Sequence, residues 1–538
     1  MSAALEGNDR VTGLDARELL ELVAAARRAT ADEARSDAVA RSHRRDKLTA
    51  RERIAALVDE GSFRELGQLA RLKDGEYEGL PGIDAKAATA YGDGVLAGTA
   101  RIDGRPVVLS VQDYGTFGGS SGEVGGKLSQ RAAVIARQRG LPLIMILDGG
   151  GHRIQDGLDS RHFANTGPHF VNLVRMSGWV PVICLVLGDG FAGNTNFAGL
   201  ADLVVMVRGV STMGIAGPAL VKASTGEDID KEELGGTAVQ VDRNGIAHLG
   251  VDSEQEAFEA TRRWLSYVPT NADAPLPLVP TDDPVDRPAP ELVDVVPANS
   301  RRAYDVRKVL RPIVDEGSYF EIQPTFARNL VTAFARLNGR PVGVIANQPM
   351  VLAGTLDAHA CEKSARFISF CDAYGIPLVF FADIPGFLVG SVAEDSGLGR
   401  RSARIIFELG RATVPRLSVV LRKGYGLGYL AMCGGRSFDA DLAVAWPTAE
   451  ICAMNIEGAV DVAFRKVYAD APDPAAARQE VIDLFRARVG PLEAAGGFGV
   501  DDIIDPADTR AVLIDTLDQL PRRRSDGIGT RTRGISPI

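Results

Sequence analysis

Between residues 14 and 60 the apolar positions Leu19, Leu20, Leu22, Val23 and Ala26 recur at helical spacing. Thr49-Ala50-Arg51-Glu52 follows, a hydroxyl with a carboxylate three residues later, the pattern that closes the free N–H groups at a helix start. Beyond residue 60 the rhythm changes to short apolar runs separated by Gly clusters. Pro106–Val111, Pro142–Leu147 and Pro181–Leu187 read as buried strands, and Lys127–Arg139 as a helix between the first two. Alternating strands and helices of this kind predict α/β layers.

Eight of the 28 prolines lie between Pro269 and Pro297, interspersed with Asp273, Asp282, Asp283 and Asp286. Such a stretch continues neither a helix nor a central strand and reads as a linker between two halves. The halves repeat each other. Asp103-Gly-Arg-Pro-Val-Val-Leu109 returns as Asn338-Gly-Arg-Pro-Val-Gly-Val344, and Gly140–Asp148 returns as Gly375–Asp383, both 235 residues on. Val180-Pro181 returns as Val414-Pro415 after 234, and Val58–Phe63 resembles Val314–Tyr319. The repeated strand ends carry the Gly clusters, and ligands bind at such ends in α/β sheets.

Composition narrows the function. Sixty Lys and Arg against 70 Asp and Glu leave a net charge of -10, which argues against nucleic acid as the main partner. No apolar run approaches the roughly 18 residues of a membrane span. Met1–Asn8 shows no secretory pattern. Five cysteines without a C-x-x-C fit a reducing compartment, so the expected location is cytoplasmic.

Side-chain chemistry is sparse. Gly118–Gly126 fails the phosphate-loop template, because Ser121 stands where its first Gly belongs and Leu128 follows Lys127. Gly118-x-Ser120-x-Gly122 matches a nucleophile elbow, but the preceding strand ends too early, near Asp113, for that turn. The six histidines show no metal-ligand spacing, so no metal is expected. Only His152 stands beside a Gly run, as pocket wall or as acid–base group. Asp148 and Asp383, at duplicated strand ends, are general bases or braces of their turns. What remains is bare backbone: Asp148-Gly149-Gly150-Gly151-His152 in the first half and Lys423-Gly-Tyr-Gly426-Leu427-Gly428-Tyr429 in the second. Two such turns suggest two oxyanion holes, each donor worth about 3 kcal/mol.

At this point the chain resembles, over roughly residues 45–530, the carboxyltransferase (β) subunit of biotin-dependent acyl-CoA carboxylases, the propionyl-CoA carboxylase β type. The resemblance rests on Lys47-Leu-Thr-Ala-Arg-Glu-Arg-Ile54, Phe117-Gly-Gly-Ser-Ser-Gly-Glu-Val124, Gly217–Asp228, Glu232–Gly236 and Asn347-Gln-Pro349. It continues through Ala365–Asp372, Pro385-Gly-Phe-Leu388 and Trp446-Pro-Thr-Ala-Glu-Ile451. It implies two tandem crotonase-like β-β-α spiral domains and a homo-oligomer, a hexamer, with the active site at a subunit boundary. In that chemistry the freed nitrogen of biotin takes the α-proton of the acyl thioester, and the protein supplies backbone donors and positioning.

By resemblance, Gly150 and Gly151 hold the thioester oxygen, and Leu427 and Gly428, with Gly426, hold biotin. Gly118, Gly119, His152 and Leu430 are the expected substrate contacts. Since the donors are backbone N–H groups, exchanging the side chain at Leu427 or Gly428 for Ala is expected to change little. The expected organisation is a helical segment 1–60, a CoA-binding domain 61–268, a linker 269–299 and a biotin-binding domain 300–538. The chain departs from the family pattern around the substrate site. His152 stands in place of Ala, Gly188–Asn196 replaces Gly-Pro-Cys-Ala-Gly-Gly-Ala-Val-Tyr, and Leu427 replaces Gly. Leu430 stands where propionyl-type members often carry Asp, and Val389 where they carry Pro. These departures imply a changed acyl substrate. With no Ala-Met-Lys-Met attachment site and no room for an ATP-binding carboxylase domain, biotin is expected on a separate partner, a biotin carboxylase/biotin carboxyl carrier subunit. Acyl-CoA decarboxylation or transcarboxylation through the same enolate, and a non-catalytic place in a mixed hexamer, remain open as alternatives.

Overall fold

The computed structural model describes residues 13–73, 75–83, 90–297, 299, 301–523 and 534–537, so Met1–Asn8 lies outside the described residues. The chain forms two compact units. One comprises Met1–Met176, Val182–Thr237 and Gly250–Arg262, the other Ser177–Pro181, Ala238–Leu249 and Arg263–Ile538.

The stretch before residue 60 is helical as its spacing predicts, in three pieces: α1 (Ala16–Ala29), α2 (Ser36–His43) and α3 (Ala50–Leu57). Thr49 caps α3. Its hydroxyl accepts from Glu52 N while the Glu52 carboxylate accepts from Thr49 N, so each side chain satisfies a donor the helix start leaves free.

The first unit's sheet runs in sequence order: β1 (Arg64–Leu66), β2 (Val95–Ile102), β3 (Arg105–Gln112), β4 (Leu143–Leu147), β5 (Val182–Val186), β6 (Leu203–Val207) and β7 (Leu249–Val251). The three predicted runs lie in β3, β4 and β5. Pairing is antiparallel from β1 to β3 and parallel from β3 to β6. β4, β5 and β6 are buried at every position, which is why they read as continuous apolar runs with no alternation. The helix α4 (Glu123–Arg139) starts four residues before its apolar pattern does. Asp93, thirty residues upstream, accepts from Val124 N and Gly125 N and caps the helix start from outside. No local sequence signal carries that contact.

The second unit repeats the plan with β8 (Phe320–Ile322), β9 (Leu330–Leu337), β10 (Arg340–Asn347), β11 (Leu378–Ile384), β12 (Arg416–Tyr425) and β13 (Leu442–Ala445). β14 (Glu450–Cys452) joins beside β12, and β15 (Asp502–Ile503) pairs with β13. Strands β9, β10 and β11 start 235 residues after β2, β3 and β4, and β12 starts 234 after β5. The duplication therefore reaches the register of the strands. The Pro-rich stretch packs into this second unit. Val279 N donates to Gly339 O at 3.1 Å, and Leu292 and Val296 join the core around Val342, Val344 and Trp446.

Candidate functional site

The turn after β4 is built from its buried anchor outward. Asp148 is fully buried, and both carboxylate oxygens are engaged, by Lys47 Nζ at 2.9 Å and Arg53 Nη1 at 2.8 Å. Arg53 also holds Glu254 and donates to Leu187 O at 3.1 Å. Lys47 and Arg53 come from one motif, Lys47–Ile54, which thus clamps the end of β4. Asp148 is a brace. With both oxygens held by cations, it is not placed to take a proton.

The backbone above it is fixed just as tightly. Gln112 and Asn194, both buried, hydrogen-bond each other at 3.0 Å. Gln112 accepts from Asp148 N, and Asn194 donates to Gly149 O. A Cβ on Gly119 would fall 2.0 Å from Asp148 O, and one on Gly149 2.2 Å from Gly119 O, so two glycine loops meet where no side chain fits. Gly151 has φ +85°, and its carbonyl accepts from Ser121 N. Among the described residues, the N–H groups of Gly150 and Gly151 meet no acceptor.

Beside this turn lies a cavity of about 680 Å³ within the first unit. Gly151 and His152 line it, together with Ala192, Gly193, Met145 and Leu147. Gly118 and Gly119 do not; Gly118 is exposed, and Gly119 serves the turn from behind. Gly150 is exposed beside the lining. Ala192, with φ +59°, leads into the short helix α5 (Gly193–Gly199), whose first N–H groups no side chain caps.

His152 and His169 in this cavity are both pushed below the ordinary imidazole value of 6.5 by burial, His169 to about 4. A histidine held neutral in the fold and charged when unfolded makes the unfolded chain bind more protons between about 4 and 6.5. Stability therefore falls as pH drops through that window, by at most about 1.4 kcal/mol per pH unit. His169→Phe is expected to flatten that fall when urea midpoints are compared at pH 7 and pH 5. An unchanged slope would contradict the buried neutral imidazole.

The second unit repeats the bracing. Asp383 is fully buried, pairs with Arg422 at 2.9 Å and accepts from Lys423 N. Asn347, 235 residues after Gln112, accepts from Asp383 N and donates to Gly354 O. A Cβ on Gly354, 235 after Gly119, would lie 2.7 Å from Asp383 O. The isolated parallel bridge between Ser121 and His152 returns as Leu356 with Phe387.

At the end of β12 the chain turns into α6 (Gly426–Ala431), again without a side-chain cap. Gly426 has φ +60°, Leu427 is half exposed, Gly428 is buried and Leu430 is partly buried on the same turn. The Leu427 and Gly428 N–H groups fall in the first helical turn, where no intrahelical acceptor reaches them. Gly428 corrects one expectation. A Cβ there would meet Gly386 Cα at 2.9 Å and Ile384 Cδ1 at 2.7 Å, so Ala is not a silent replacement.

The duplication also reveals what the sequence reading missed. The counterpart of the β12–α6 turn is the β5–α5 turn, where the 234-residue offset maps Gly190-Phe191 onto Gly424-Tyr425 and Gly193-Asn194 onto Leu427-Gly428. Gly150-Gly151 maps instead onto Pro385-Gly386. The offset was visible in the sequence, but it needed the strand ends to be trusted through the turns. Among the described residues, no group of acidic, His and Cys side chains could hold a metal ion, and no helix is long and apolar enough to cross a membrane.

Comparison with known proteins agrees with the fold. The carboxyl transferase domain family matches residues 41–534. The carboxyltransferase subunit of propionyl-CoA carboxylase from Haloferax mediterranei is 40% identical over 490 residues, 91% of this chain and 93% of its own. The alpha subunit of methylmalonyl-CoA decarboxylase from Veillonella parvula is 38% identical over 488 residues, again 91% and 93%. The crystal structure of transcarboxylase 12S, a hexamer assembly with methylmalonyl-coenzyme A and methylmalonic acid bound, superposes with a TM-score of 0.90 at 38% identity. That match covers 98% of this chain and 99% of the other. The beta5 subunit of biotin-dependent acetyl-/propionyl-coenzyme A carboxylase from Mycobacterium tuberculosis is 40% identical over 503 residues, 90% of this chain and 89% of its own. With its two crotonase-like units, the chain belongs to the carboxyl transferase family and is a biotin-dependent acyl-CoA carboxyltransferase.

Proposed function

We propose that the first unit binds the acyl-CoA thioester and the second binds the biotin carried by a separate partner subunit, in a cytoplasmic hexamer. The observation that carries this reading is the pair of uncapped backbone turns, each fixed by a buried Asp held by Arg. Carboxybiotin supplies the carboxyl group when bound. The chain's own residues bind and orient. N–H groups of Gly150 and Gly151, with those at the start of α5, face the thioester oxygen, and those of Leu427 and Gly428 face the biotin urea oxygen. Donors fixed before the reaction cost no reorganisation as charge develops on the thioester oxygen. Lys47, Arg53 and Arg422 hold the turns in place and touch no substrate.

The test is dependence on the carrier. The purified chain with acyl-CoA and bicarbonate alone is expected to form no carboxylated product, and adding a carboxylated biotin carrier is expected to start transfer. Turnover without any biotin source would overturn the reading. Light scattering of the purified chain is expected to give the mass of six copies. An active monomer would overturn the assembly.

A further inference from the structure

The cavity beside the first turn has apolar walls and a nearly satisfied polar interior. Met145 and Leu147 of β4 are buried among its lining, and Phe163, Phe170 and Phe197 contribute rings. Its other buried polar groups are engaged: Gln112 with Asn194 at 3.0 Å, and Ser110 Oγ with Ser129 Oγ at 3.2 Å. Two lining atoms break that pattern. His152 Nε2 and His169 Nδ1 are buried and hydrogen-bond to nothing among the described residues.

Both rings are held edge-on against aromatic neighbours, His152 with Phe163 at 5.7 Å between ring centres and His169 with Phe197 at 4.7 Å. Neither can swing away without giving up that contact. A buried polar atom left unpaired is costly, and a pocket for a plain alkyl chain has no use for two of them. A site with waiting polar partners selects a ligand that satisfies them, and rejects the analogue that leaves them empty far more strongly than an apolar wall rejects an extra methylene.

We propose that the cavity selects an acyl group that carries a hydroxyl or carbonyl on an apolar body, with His152 Nε2 and His169 Nδ1 as its specificity-determining partners. The inference rests on the first unit being the acyl-CoA site. The same chemistry could come from the amides of the pantetheine arm, which every acyl-CoA shares. The acyl group is distinguished from the arm by substrates that differ only at the acyl end.

The experiment pairs phenylacetyl-CoA with 4-hydroxyphenylacetyl-CoA, and hexanoyl-CoA with 6-hydroxyhexanoyl-CoA. It reads kcat/KM in carboxyl transfer and, independently, calorimetric affinity for their unreactive thioether analogues. The parent protein is expected to favour the hydroxylated member of at least one pair tenfold or more. His152→Leu and His169→Leu are expected to shrink that preference to within twofold. His152→Gln and His169→Asn, which return a polar atom near Nε2 and Nδ1, are expected to restore most of it. Equal loss on both members of a pair would assign the nitrogens to the pantetheine arm and overturn the proposal, as would a parent preference for the unsubstituted members. Thioether analogues that bind with the expected preference, but no carboxyl transfer to any substrate, would overturn the catalytic reading and leave the pocket assignment standing.

Discussion

Gly428→Ala is expected to lower carboxyl transfer about a hundredfold or more, while Leu427→Ala stays within about threefold of the parent. The contrast follows from two adjacent positions with opposite surroundings. Leu427 is half exposed, so trimming its side chain leaves its N–H where it was. Gly428 lies against Gly386 and Ile384. Of the contacts a new Cβ would make, the one to Ile384 Cδ1 can relax by a side-chain rotation. The one to Gly386 Cα, at 2.9 Å, is with backbone and cannot. The first turn of α6 must then move, and with it the donors of Leu427 and Gly428. Losing one aligned oxyanion donor costs roughly 3 kcal/mol, about a hundredfold in rate. The effect should appear in kcat more than in the KM for acyl-CoA, because the proposed partner of this turn is biotin. Gly428→Ala protein that assembles normally and transfers carboxyl groups within about twofold of the parent would remove the turn from the site.

The same residue shows where sequence reading stops. That Gly428 belongs to a bare turn was legible, because glycines cluster where a strand ends and the cluster recurs in the other half. That its missing side chain makes room for Gly386, forty-two residues earlier, was not, because close approach between loops leaves no local periodicity. The fold was legible for the same reason the turns were: β4 and β11 are unbroken apolar runs with a Pro before each and an Asp at or near the end of each. Asp93 capping α4 and Gly119 fitting under Asp148 belong with the hidden contacts. The cavity was hidden as well. Only His152 of its two unpaired histidines stood beside a motif, while His169 sits in a helix (Pro168–Met176) with nothing in its neighbours to mark it.

Asp148 could be read from sequence either as a general base or as a brace, and Arg53→Met separates the two with the largest expected effect on stability. Arg53 is 1% exposed and reaches Asp148 and Glu254 together. Met fills much of its volume but leaves Glu254 without this partner and Asp148 with Lys47 alone. Breaking a buried pair by removing one partner costs about 3–5 kcal/mol, because the remaining charge stays buried. The melting temperature and the urea midpoint of the protein should both fall accordingly. Asp148→Asn should destabilise too, since Lys47 and Arg53 then lose their shared counter-charge. The double variant should lose less than the two single losses added, because both remove the same interaction. A general base predicts something different: Asp148→Asn would abolish turnover at unchanged stability, and Arg53→Met would leave turnover largely intact. If the variants behave that way, Asp148 does chemistry. If stability and turnover fall together in both single variants, Asp148 acts by holding Gly149, Gly150 and Gly151 where the thioester needs them.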